Sequence, residues 1–242
     1  MTAIKTTGLV KRYKDVTAVD GLDMEIRQGE LFSLLGVNGA GKTTLIRMLC
    51  GLTKPTAGDA LVGGFPITSQ PEQVKPQIGV SPQETAVAPN LTVRENLELI
   101  CGIHGFSREK TEGKIRELSS GFSLEGVLHR KAGKLSGGWQ RRVSIAMALI
   151  SEPRILFLDE PTLGLDVIAR RELWDVIRSL KGRITVILTT HYMEEAENLS
   201  DRIGIMKNGR LLAVGTAPEL KRKTGCDTFE AAFISIVKED SL

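Results

Sequence analysis

The sequence predicts an α/β fold, a mixed β-sheet flanked by helices around a phosphate-binding loop, with a helical insertion. Three observations predict it. Gly36-Val37-Asn38-Gly39-Ala40-Gly41-Lys42-Thr43 fits the pattern G-x-x-x-x-G-K-[ST] and lies between a strand-like run and helix-compatible residues. Short apolar runs recur at 155–158 and 184–189, with helical periodicity between them. From residue 92 to about residue 134 the β signals fade and apolar residues fall at helical spacing.

Taken in order, residues 4–13 alternate loosely, and residues 19–26 form a second β-like segment. Leu31-Phe32-Ser33-Leu34-Leu35, bounded by Gly29 and Gly36, reads as a buried strand. Residues 44–50 read as a helix that stops at Gly51. A turn over 52–58 and a short strand with a turn over 59–64 follow. Strand 78–81 delivers Gln83 into a Pro/Ala loop. Leu91, Asn96, Leu97, Ile100 and Ile103 then mark helix, and charged segments surround Ile115, Leu118 and Leu128. With the apolar helix 143–150, this gives a helical subdomain at about residues 92–150, set apart from the sheet.

Residues 155–158 are a buried strand, and 168–180 an amphipathic helix with Leu173, Val176, Ile177 and Leu180 on one face. Residues 184–189 are a β-branched strand, and 192–199 a short helix whose acidic side chains face solvent. Asn208-Gly209 between two apolar runs signals a hairpin with a type I′ turn. From Ala217 the pattern is helical and ends in a stripe of Phe229, Phe233 and Ile236. This divides the chain into a unit over 1–220 and a short helical tail over 221–242, with no internal repeat.

Composition narrows the function classes. The 242 residues are 41% hydrophobic, enough for a substantial core and against disorder. A net charge of +3 gives no case for nucleic-acid binding. Cys50, Cys101 and Cys226 are odd in number and widely spaced, which suits a reducing compartment and excludes a zinc ribbon or disulfide framework. No signal peptide opens the sequence, and no run of 18 apolar residues offers a membrane span.

The chemistry concentrates at strand ends. In the loop, glycines let backbone N–H groups turn toward a polyphosphate, and the helix start adds its positive dipole end. Lys42 would reach the β- and γ-phosphates, and the Thr43 hydroxyl would ligate Mg²⁺. Asp159 and Glu160 end a buried strand, where open parallel sheets bind ligands. Asp159 suits the Mg²⁺ shell and Glu160 the orientation or deprotonation of a water; a solvated pair is the plainer reading. His191 follows the next strand and could bond a γ-phosphate, although a lone His at a strand end is usually structural. Ser136 with Gly137 and Gly138 begins the apolar helix, either as a second anion-binding surface or as an ordinary cap.

Together these residues resemble the ATP-binding cassette ATPases, specifically the separate nucleotide-binding subunits of transporters. The loop from Gly36 to Thr43, Gln83 in Ser-Pro-Gln, the signature Leu135-Ser136-Gly137-Gly138-Trp139-Gln140, the strand ending in Asp159-Glu160, the segment Pro161-Thr162-Leu163-Gly164-Leu165-Asp166, and His191 match in order and spacing. The resemblance implies a P-loop NTPase core with an N-terminal antiparallel β subdomain. It implies ATP held by Gly36, Asn38, Gly39, Ala40, Gly41, Lys42, Thr43 and Thr44, with Tyr13 stacked on adenine; a buried structural Tyr13 is the alternative. It implies Mg²⁺ held by Thr43, Gln83 and Asp159, and catalysis by Glu160, His191, Lys42 and Gln83. Two such cassettes pair head to tail, so Ser136, Gly137, Gly138 and Asp166 would act on the partner's nucleotide. The usual signature continues Ser-Gly-Gly-Gln; here Trp139 takes that place, which puts the contact of the fifth residue in question.

The implied partners are a second cassette, identical or related, and an integral membrane transporter subunit, with no nucleic acid. The implied location is cytoplasmic, peripheral on the inner face of the cell membrane. The segment after His191 and the short tail are most similar to ATPase subunits of bacterial ABC-2-type exporters. A soluble cassette ATPase acting on ribosomes or DNA is the alternative; such relatives usually hold two cassettes or a long coiled coil. A GTPase would carry Asn-Lys-x-Asp, which is absent.

Overall fold

A computed structural model describes residues 1–239. Two long strands, β1 (Thr2–Tyr13) and β2 (Val16–Arg27), open the chain. They are followed by β3 (Leu31–Leu35), α1 (Lys42–Leu49), β4 (Ala57–Val62), β5 (Phe65–Pro66), α2 (Pro71–Val74) and β6 (Ile78–Ser81). Helices α3 (Val93–Ile103), α4 (Arg108–Gly121) and α5 (Gly137–Ala148) fill the middle. Next come β7 (Ile155–Asp159), α6 (Val167–Leu180), β8 (Thr185–Thr190), α7 (Met193–Leu199) and β9 (Arg202–Lys207). The described chain ends with β10 (Arg210–Gly215), α8 (Ala217–Thr224) and α9 (Phe229–Glu239). Residues 240–242 of the tail expected over 221–242 lie outside the described residues.

The first sheet is antiparallel in the order β2-β1-β4-β5, and the second has the order β10-β9-β3-β8-β7-β6. In the second, β9, β3, β8, β7 and β6 run parallel and β10 antiparallel, so it is mixed, as the sequence predicts. Strands β3, β7 and β8 are buried on both faces, which is why they read as continuous apolar runs. Parallel order brings the carboxyl ends of β3, β8, β7 and β6 to one edge, and that edge carries the chemistry.

Hydrophobic clusters lie on either side of the second sheet. One joins Ile4, Leu9 and Val19 of the antiparallel sheet to Leu45 and Met48 of α1 and to Phe32, Phe157 and Ile187. The other runs from Val93, Leu97, Ile115 and Leu118 in the helical segment through Val143 and Leu173 to Leu156, Leu158 and Val186. The helical segment therefore shares its core with one face of the sheet.

Asn96 is buried for a polar reason. Its amide donates to Ala88 O (3.1 Å) and Thr92 O (2.9 Å), and its Oδ1 accepts from the Ala88 N–H (2.8 Å), pinning the loop that follows Gln83. Ile103 ends α3, in line with the helical spacing, and is 70% exposed. Two local expectations need correcting. On α6, Trp174 is buried, whereas Val176 is only partly so. In α7, Glu195 is fully buried instead of solvent-facing, because the Trp174 indole reaches it.

The Asn208-Gly209 turn has positive φ at both residues (49° and 80°), as a type I′ turn requires. It props the phosphate loop: the Gly209 N–H donates to Ala40 O and the Asp20 N–H to Gly209 O. Phe229, Phe233 and Ile236 of α9 pack against Ile203 and Ile205 of β9, which buries the predicted stripe.

Candidate active site

The phosphate loop leaves β3 and turns into α1 through residues that only glycine serves. A Cβ on Gly36 would stand 2.4 Å from Met206 O, and one on Gly41 (φ 101°) 2.2 Å from Ala18 O. Gly41 is the N-cap of α1 and has no side chain to cap it. The first N–H groups of the helix therefore face an open cavity of about 610 Å³. Asn38, Gly39, Ala40, Gly41, Lys42, Thr43, Thr44, Gln83, Glu160 and His191 line that cavity, together with Val16, Thr17 and Ala18 from β2.

Lys42 is buried, and its ammonium donates to Gly36 O (2.7 Å) and Val37 O (3.2 Å). Desolvation pulls its pKa down, and Glu160 opposes that by favouring the charged form. Glu160 Oε1 lies 3.6 Å from Lys42 Nζ, and Oε2 lies 3.4 Å from His191 Nδ1. Residues from the start of α1 and from the ends of β7 and β8 thus meet across one carboxylate. Glu160 has φ 48°, an uncommon conformation for a side chain with a Cβ. Its N–H is held by Thr189 through both the hydroxyl (3.0 Å) and the carbonyl (3.1 Å).

Asp159 Oδ1 accepts from the hydroxyls of Thr43 (3.3 Å) and Thr189. Hydroxyl and carboxylate oxygens are the donors that Mg²⁺ prefers, and it usually takes one or two from protein and the rest from phosphate and water. The residues present fit that ion, and they fit ATP through the open helix start. No grouping of three or more His, Cys, Asp or Glu suited to a metal occurs among the described residues.

Other predicted residues lie apart from this cavity. Tyr13 is 45% exposed with the Lys11 ammonium 4.9 Å over its ring, so the buried reading of Tyr13 does not hold. Ser136 sits at the N-cap of α5, exposed, and its side chain makes no capping bond, so it is not an ordinary cap. Asp166 caps α6, accepting from the Ile168 and Ala169 N–H groups at 2.9 Å. Trp139 lies beneath the Arg142 guanidinium (4.8 Å), and Gln140 donates to Ala132 O and Leu135 O.

Sequence reasoning missed Thr189 and Arg141. Thr189 stands directly across from Asp159 in the β7–β8 register, so strand adjacency was the signal available for it. Arg141, in the second turn of α5, donates to Pro82 O (2.6 Å) and Gln83 O (2.7 Å) and so ties the helix of Ser136 to the loop of Gln83. Burial lowers its pKa, against the pull of Asp159. Nothing in the sequence marks it.

A family model described as ABC transporter matches residues 19–163. The daunorubicin resistance ATP-binding protein DrrA3 of Streptomyces coeruleorubidus is 44% identical over 230 residues, covering 95% of this chain and 73% of the relative. Nod factor export ATP-binding protein I of Burkholderia pseudomallei is 43% identical over 223 residues, covering 91% of this chain and 73% of the relative. A solved ATP-binding subunit of an ABC transporter superposes with a TM-score of 0.85 at 28% identity, over 97% of this chain and 99% of that one. A dimeric cassette in a post-hydrolysis state bound to ADP and Pi superposes at 0.79 and 28%, over 88% and 98%.

Proposed function

The chain belongs to the ABC transporter family and is an ATP-binding ATPase, and we infer that its hydrolysis powers substrate export through a separate membrane-embedded partner. The meeting of Lys42 at the start of α1 with Glu160 and His191 from two strand ends carries the reading of the site. In it, the N–H groups of residues 39–44 and the Lys42 ammonium bind the phosphates. Thr43, Asp159 and Gln83 would hold Mg²⁺, which would neutralise charge on the phosphates. Glu160 takes the proton of the attacking water on a carboxylate oxygen, and His191 fixes the geometry from the other side. Tyr13 offers its exposed face to the base.

The chain pairs with a second cassette, Ser136, Gly137, Gly138 and Asp166 of each serving the other's ATP. That pairing works at the cytoplasmic face of the membrane. No helix among the described residues is long and apolar enough to cross a membrane, so a partner supplies the span. The loop between Gln83 and Asn96 together with α3, where Leu99 and Ile103 are exposed, docks that partner. Residues 1–220 form the cassette with its helical subdomain at about 92–150, and 221–242 its tail.

Glu160→Gln tests the assignment. Turnover should fall by about 10²–10⁴ while ATP binding survives, since removing a general base leaves the phosphate loop intact. An ATP-dependent dimer should then be visible by size-exclusion chromatography. Near-normal turnover would remove Glu160 from the chemistry.

A further inference from the structure

Among the described residues, four of the seven buried side-chain atoms without a hydrogen-bond partner are Thr162 Oγ1, Arg170 Nε, His191 Nδ1 and Glu195 Oε2. They belong to one neighbourhood. Glu195 is fully buried in α7, and its Oε1 accepts from Trp174 Nε1 of α6 at 3.0 Å. The hydroxyls of Thr190 and Thr162 and the Arg170 guanidinium lie close enough to favour its anion, although burial outweighs them and raises its pKa. Thr162 is two residues after Glu160, and Thr190 directly precedes His191. A ring path closes the circuit: the Arg170 guanidinium is 4.4 Å from the Tyr192 ring centroid, and the Tyr192 ring is 4.1 Å from that of His191. The Tyr192 N–H in turn donates to the Thr190 hydroxyl at 2.9 Å.

We propose that Glu195 is a positioning residue for the hydrolytic pair. Its buried carboxyl gathers the segment after Glu160, the end of β8 before His191, and α6, and so holds His191 against Glu160. Filling the core would need no polar group here. Instead one carboxyl faces an indole N–H, two hydroxyls and a guanidinium, drawn from three separate segments. Such a node is costly unless its partners stay in place, so it resists relative movement of the pieces it joins. The proposal rests on the roles given above to Glu160 and His191 and adds the group that sets their spacing.

The test compares Glu195→Ala, Glu195→Gln and His191→Ala for ATPase kinetics and for the His191 ring resonance by NMR. Only three histidines are present, so His191→Ala identifies that resonance by its loss. Glu195→Ala should lower kcat by about tenfold or more with the KM for ATP within about threefold, because the phosphate loop is untouched. It should also displace the His191 resonance. Glu195→Gln, which keeps an acceptor for Trp174 and gains a donor for the hydroxyls, should restore both. If Glu195→Ala does not fold, Trp174→Phe removes the indole N–H, with some ring volume, while keeping an aromatic in the core, and should displace the same resonance. Wild-type kcat in Glu195→Ala, an unmoved resonance, or an equal loss in Glu195→Gln would overturn the proposal. Wild-type turnover in His191→Ala would instead overturn the reading of the site itself.

Discussion

The starts of α1 and α5 are built alike and set differently. Both begin on small residues, and neither has a side-chain cap. At α1 the exposed N–H groups open into a walled cavity, with Lys42 buried beside them and Glu160 and His191 opposite. At α5, Ser136 and Gly137 are exposed, and Leu163, Val167 and Ile168 stand exposed in the neighbouring segment. No lysine, base or metal ligand of the first site reaches the second. The difference teaches that a bare helix N-terminus attracts an anion but does nothing to it. Chemistry needs the strand ends that surround α1. On the proposed pairing, the start of α5 is the surface that would complete a site belonging to another molecule.

Mixed dimers would break that comparison most decisively. A Lys42→Ala chain paired with a Ser136→Ala chain leaves one site with an intact loop and an intact signature. A doubly substituted chain paired with wild type leaves a defect in each site. In a Glu160→Gln background, the first dimer should trap one ATP and the second none. The reverse result, none in the first and one in the second, would mean that Ser136 serves its own chain, and equal trapping would mean that Ser136 contributes nothing to holding the nucleotide.

Much of this was legible in the sequence, for a physical reason. Strand β3 falls where its apolar run places it, because a strand buried on both faces leaves little else to encode. His191 was singled out only by its place after the strand that follows that of Glu160; its approach to Glu160 was not foreseen. The four-residue α2 and two-residue β5 were too short for any periodicity. The apolar character of α5 was read only from residue 143, although Ser136 was weighed as its start, because Arg141 and Arg142 look like surface residues but are both buried. Their partners, the Gln83 loop and Glu172, are distant in sequence. Glu195 was misread for the same cause: within Glu194-Glu195-Ala196-Glu197 only the fold says which carboxyl meets Trp174.

Arg141 sharpens the comparison, since it ties the first turns of α5 to the Gln83 loop that lines the cavity at α1. Its two hydrogen bonds to Pro82 O and Gln83 O carry a charged donor, worth about 1.5–3 kcal/mol each. Arg141→Ala should therefore lower stability by about 3 kcal/mol or more in urea unfolding. Arg141→Lys, which cannot span both carbonyls, should recover only part of it. ATP binding at the Lys42 loop should persist in both variants. Unchanged stability would show that the α5 start and the Gln83 loop are held independently.

Trp139 carries the smallest effect and the finest distinction. It occupies the position where the family pattern has glutamine, so it could either contact a nucleotide or merely support the helix start. The geometry favours support: the ring lies partly buried against the core under Arg142, whose guanidinium also pairs with Glu172 at 2.7 Å. Gln140 does not replace the missing glutamine outward, because its amide is engaged by Ala132 O and Leu135 O behind the turn. Trp139→Gln should then cost the cation–π contact, about 0.5–1 kcal/mol, together with some packing. Turnover should stay within about threefold, which corresponds to less than 1 kcal/mol in the barrier. Both are readable from one purified variant by thermal unfolding and steady-state ATPase. A loss of tenfold or more in turnover with unchanged unfolding would place Trp139 among the contacts to the partner's nucleotide. The start of α5 would then carry more than Ser136 and its two glycines.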